Sequence, residues 1–112
     1  MTPRRAAADG LSSSAQVCAV SGLTYRELDH AVRQGWLTTR TPAGGSGTNR
    51  RYARDDVRRA RIYAVARRLG LSASLAAQLA GQALNGRRRF DLAAGVVLEL
   101  DEQRLRPPAS SS

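Results

Sequence analysis

Apolar positions fall into blocks separated by short polar or glycine-bearing breaks, and the earlier blocks carry helical spacing. Ser12, Ser13 and Ser14 offer an N-cap for a short helix over about 15–20 that buries Val17, Cys18 and Val20. Ser21, Gly22 and Leu23 break it. Thr24 and Glu27 have the spacing of a capping box, in which the threonine hydroxyl accepts the N–H of Glu27 and the glutamate accepts the N–H of Thr24. The second helix is predicted to run to Gln34, with Gly35 at the left-handed position that ends it. Leu28, Ala31 and Val32 share one face of it, closed beneath by Trp36 and Leu37. Tyr25, Arg26, Asp29, His30 and Arg33 point elsewhere.

Two β-favouring runs, 38–41 and 49–52, flank a glycine-rich stretch over 42–48, which predicts a hairpin with a flexible tip. A third helix is predicted over 54–69, with Asp55 and Asp56 at its positive N-terminus and Gly70 ending it. Ser72 caps a fourth through about Leu84, with Leu75, Leu79 and Ala83 as its apolar stripe; Asn85 and Gly86 stop it. The run 96–100 is short, apolar and β-branched at its start, which reads as a strand, with a helix over 91–105 as the alternative. Residues 1–11 read as a flexible basic arm, 12–86 as the folded domain, 87–105 as an extension suited to self-association, and 106–112 as a disordered tail.

Composition narrows the class. Hydrophobic residues make up 42%, but many are alanine and aromatics are few, so the core should be modest and mainly helical, anchored by Trp36, Tyr52, Tyr63 and leucines. The net charge is +9, and all eighteen basic residues are arginine. A G+C-rich genome favours arginine over lysine but does not produce a surplus of positive charge. Residues 1–89 hold sixteen arginines against five carboxylates, whereas 90–112 hold two against four. That distribution, with a pI near 11.5, is the footprint of a polyanion binder.

Enzyme classes fare poorly. A single cysteine and a single histidine make no ordinary metal site, no carboxylate pair has a supporting context, and the glycines at 44–47 lack the lysine of a phosphate-binding loop. No cofactor or metal is implied. The absence of a long apolar run or a signal-type N-terminus points to the cytoplasm, at the nucleoid, with no membrane partner.

The order helix, turn, helix, two-stranded wing, helix, helix resembles the MerR-like winged-helix family over about residues 15–75. Three strings carry the likeness: Gln34-Gly35-Trp36-Leu37, Arg50-Arg51-Tyr52-Ala53-Arg54-Asp55-Asp56-Val57, and Leu69-Gly70-Leu71-Ser72. The resemblance implies a winged helix-turn-helix: mainly α, about four helices and a two-stranded β wing, plus one short C-terminal strand where 96–100 is extended. Three departures stand out. Asp29-His30-Ala31 replaces the Arg-Tyr-Tyr often found in that family's second helix, Ala53 replaces a capping hydroxyl, and the chain ends before a long dimerisation helix or effector region. It is similar instead to short regulators and phage-type excision factors.

That fold implies double-stranded DNA as the partner, with residues 24–34 in the major groove and 38–52 on the minor groove or phosphates. Arg26 is the candidate for a bidentate guanine contact, and Thr24 and Tyr25 lie at the helix's leading end, where Tyr25 meets backbone or a thymine methyl. Asp29 accepts from cytosine or orients Arg26 or Arg33, while Arg33 and His30 meet phosphate. The alternative is that Arg26, Asp29 and Arg33 are surface ion pairs. Arg40, Arg50 and Arg51 are the wing's charged contacts, and Arg54 and Arg58 are phosphate neighbours at the start of the third helix. Tyr52 is either a core anchor or a hydroxyl donor to phosphate. Arg67 and Arg68 read as a solvated face, and 87–89 as an optional second clamp. About six phosphate contacts give a slope of log K against log salt of about −5. Self-association on DNA, as a dimer or a head-to-tail array, fits so small a module. The function implied is transcription regulation, with a DNA-bending excision factor as the alternative and a basic protein-interaction module as the reading from another class. A recombinase or RNA polymerase contact accompanies the first two.

Overall fold

The computed structural model describes residues 10–40 and 50–105. The expected arm before Gly10, the glycine-rich tip and the tail after Leu105 lie outside the described residues. Within them the chain is mainly helical, with four α-helices and two antiparallel sheets of two strands each. No described helix is long and apolar enough to cross a membrane.

Strand β1 (Ser12–Ser13) leads into α1 (Ser14–Ser21). Ser13 caps α1: its hydroxyl accepts the N–H of Gln16 at 3.2 Å, and the Gln16 side chain accepts the N–H of Ser13 at 2.7 Å. The buried stripe of α1 is Ser14, Val17 and Ser21, while Val20, expected inside, is exposed and Cys18 is half-buried against the core. Small serines suit a face that packs closely, and the Ser21 hydroxyl is satisfied locally by the N–H of Leu23. Burial raises the Cys18 thiol above its ordinary pKa, and the charge of Glu27 adds to this.

Helix α2 (Tyr25–Arg33) ends as its sequence predicts. Gly35 has φ +82°, and the N–H of Trp36 donates to the carbonyl of Ala31 at 2.9 Å, the six-to-one bond of a Schellman turn. A non-glycine residue would be strained there. Leu28 and Ala31 bury their helix face, and Leu37 closes below, but Trp36 is only half-buried.

The strand pairing differs from the expected hairpin. Strand β2 (Arg51–Tyr52) pairs antiparallel with β1, Ser12 opposite Tyr52 and Ser13 opposite Arg51. The outgoing run 38–40 is not a strand. It reaches the other side of β2 through the Arg51 carbonyl, which accepts the N–H of Arg40 at 2.8 Å and the hydroxyl of Thr39 at 2.7 Å.

Helix α3 (Arg54–Arg68) starts without a capping side chain, because Ala53 has no acceptor. Half of the box survives: Asp56 accepts the N–H of Ala53 at 2.8 Å and also the hydroxyl of Thr38 at 2.5 Å, which ties the run after α2 to the helix. Helix α4 (Ala73–Leu84) is capped by Ser72 and buries Ala76, Leu79, Ala80 and Ala83. Leu75, expected in that stripe, is exposed, so the face is centred one residue further on. Alanines at 60, 64, 76, 80 and 83 in the core let α3 and α4 approach closely.

The segment after α4 forms a hairpin, β3 (Arg89–Ala93) with β4 (Val96–Glu99), followed by a 3-10 turn at Glu102–Arg104. A strand over 96–100 was anticipated; its partner was not. Phe90 and Leu100 are buried in the same core as the helices.

Candidate nucleic-acid interface

The side chains singled out from the sequence divide into those that face outward and those that are held within the fold. Thr24 is the N-cap of α2. Its hydroxyl accepts the N–H of Glu27 at 3.0 Å and the Glu27 carboxylate accepts the N–H of Thr24 at 2.8 Å, so the leading turn is fixed at both ends of the box. Tyr25 and Arg26 are exposed on that turn. Among the described residues Arg26 has no ion pair or hydrogen bond. All of its guanidinium donors are therefore open to a ligand.

Helical spacing puts Asp29, Arg33, Arg26 and His30 on one continuous outward arc, opposite Leu28. Asp29 accepts from two arginines: Arg33 Nε to Oδ2 at 2.8 Å, and Arg50 Nη1 to Oδ1 at 2.6 Å. The hydrogen bond from Arg33, then the one from Arg50, holds the Asp29 carboxyl below its ordinary pKa. Asp29 thus has both oxygens engaged, and its bond to Arg33 has the i,i+4 geometry of the surface ion pair that stood as the alternative reading. Its partners are Arg33 and Arg50, not Arg26. Arg33 keeps its terminal nitrogens outward, with its side chain 64% exposed.

Arg50 is different. Its side chain is only 9% exposed, and the Asp29 bond uses its terminal nitrogen. It cross-braces the start of β2 to α2 instead of standing free. Tyr52 is buried at 1% exposure, its hydroxyl without a hydrogen-bond partner among the described residues, so it is a core anchor. Between them Arg51 faces out, following the period-two alternation of an extended chain. Arg40 is exposed and lies beside Arg51 through the shared backbone bond. Arg54 is exposed on the first turn of α3.

His30, though exposed, and Arg58, half-buried, each have a partner within the chain. The His30 ring meets Trp36 edge-on, centroids 5.6 Å apart, at a cleft shared with Glu27 and Tyr63. Arg58 is held by Glu102 through two bonds, Nε to Oε2 at 2.8 Å and Nη2 to Oε1 at 3.0 Å, with Asp55 at 3.4 Å. That fork geometry commits its donors to the C-terminal turn.

Other arginines cap helix ends or loops. Arg67 donates to the carbonyl of Leu71 at 2.7 Å, Arg68 to that of Ser21 at 3.4 Å, and Arg88 to that of Ala83 at 3.2 Å. Arg87 lies over the Phe90 ring at 5.8 Å. The outward arginines of the candidate surface are therefore Arg26, Arg33, Arg40, Arg51 and Arg54. Among the described residues no group of three or more His, Cys, Asp or Glu is placed to hold a metal ion. No family model matches the sequence and no curated protein matches it.

Proposed function

We propose that the chain is a sequence-specific double-stranded DNA-binding protein, a winged helix-turn-helix that regulates transcription. Helices α1 and α2 are its helix-turn-helix, and residues 38–52 are its wing. Helix α2 enters the major groove, leading turn first, and Arg26 reads a guanine through O6 and N7. Arg33, Arg40, Arg51 and Arg54 meet phosphates and fix the register. The observation that carries this reading is the unpartnered Arg26 on a doubly capped first turn, beside an Arg33 whose direction Asp29 sets.

With Arg50 and Arg58 engaged internally, about four phosphate contacts remain, and the slope of log K against log salt becomes about −4. Anisotropy titrations of a selected duplex and a random duplex over a salt series test this. A slope of that size for both, with tighter binding of the selected duplex, is the expected result. A slope near zero, or equal affinity for the two, rejects sequence-specific binding.

A further inference from the structure

Of the seven large apolar side chains exposed among the described residues, four lie in one region: Leu75, Leu92, Val96 and Val97. Leu75 and Leu92 share a cleft with Phe90, between α4 and β3. Val96 and Val97 begin β4, across the tight turn from Ala93. From 92 to 98 the chain has no charged residue. The β3–β4 sheet has only two strands, so the outer edge of each is unpaired among the described residues. Exposed edges without charge or proline at the tip are sites of strand-to-strand association.

Charge selects the occupant. The chain carries +9, and two copies repel wherever their arginine faces meet. Residues 89–105 are the exception: Asp91, Glu99, Asp101 and Glu102 stand against Arg89 and Arg104. This region is ill suited to a polyanion and is where two copies approach with least repulsion. The outward hairpin face carries both signs, with Arg89 opposite Glu99 and Asp91 opposite Val97 across its two strands. A twofold contact brings the arginine of each copy to the carboxylates of the other.

We infer that the tip of the β3–β4 hairpin, together with Leu75, is the contact surface for a second copy of this chain, joined about a twofold axis. A stable interface buries about 800 Å² on each partner, more than so short a hairpin offers, so the dimer is weak and concentration-dependent. It needs no DNA, and its test is independent of the reading above.

Sedimentation velocity of the full chain without DNA, over a concentration series reaching the high-micromolar range, reads the equilibrium directly. The wild type dimerises with rising concentration. Val96→Glu and Val97→Glu, made separately, each weaken the dimer tenfold or more. Leu69→Glu, at the most exposed large apolar position (63%) and outside the hairpin, leaves it unchanged. Circular dichroism melts check that each variant is folded, and Val97→Thr, which keeps β-branching, replaces either glutamate variant that fails. A wild type that stays monomeric throughout, a dimer indifferent to the hairpin substitutions, or an equal loss with Leu69→Glu overturns the inference.

Discussion

At the scale of single residues, the same side chain, arginine, does three separate jobs here, and its partner decides which. Arg26 has none among the described residues; Arg33 has one nitrogen fixed by Asp29; Arg50 and Arg58 are engaged with carboxylates of the chain itself. Tyr52 makes a complementary case. Its hydroxyl is buried with no hydrogen-bond partner among the described residues, an arrangement that costs stability because the group gives up water without replacement. Tyr52→Phe should therefore leave stability equal or raise it by up to about 1 kcal/mol. Denaturant titration checks this, and DNA affinity should not change; a marked loss of affinity would restore the hydroxyl as a phosphate donor.

At the scale of elements, the helices carry their own boundaries. Thr24 with Glu27 opens α2 and Gly35 closes it, and Ser72 opens α4, each by local geometry that the residue types dictate. The start of α3 is the weak point, since Ala53 sits at φ −76°, ψ 169° with no acceptor to offer. Ala53→Ser places a hydroxyl in an already extended backbone, beside an Asp56 that completes the box. The gain should be about 1 kcal/mol in chemical denaturation. No gain would mean that Asp56 alone satisfies that end. What the sequence left hidden was non-local. Ser12 and Ser13 have no β-propensity, yet they pair with β2; the Asp29–Arg50 brace spans 21 positions; and β3 conceals its single inward anchor, Phe90, among Arg89, Asp91 and a bulge. The in-out-in order of Arg50, Arg51 and Tyr52 was hidden too, since Arg50 and Arg51 were both expected outward and Tyr52 stood as either core anchor or phosphate donor.

At the scale of the whole molecule, the C-terminal segment is fastened to the helical body by Phe90 and Leu100 in the core and by Glu102 at the surface. The hydrogen bond from Arg58 lowers the Glu102 pKa below its ordinary 4.5, with the charges of Arg58, Arg88 and Arg61 adding to this. A carboxylate with a depressed folded-state pKa stabilises the fold above its unfolded value and loses that contribution as pH falls through the folded value. Glu102→Gln should thus cost about 1 kcal/mol at neutral pH, with solvent screening of a partly exposed pair taken into account. The gap between variant and wild type should shrink on acidification below the ordinary glutamate value. A gap constant with pH would mean the pair contributes nothing. The proposed division of labour between α2 and the segment bearing Arg51 is tested most directly by measuring Arg26→Ala and Arg51→Ala against every single-base variant of a selected site. The account predicts that Arg26→Ala loses discrimination at one base position while Arg51→Ala weakens all sites about equally. The reverse pattern, or a uniform loss in both variants, would contradict it.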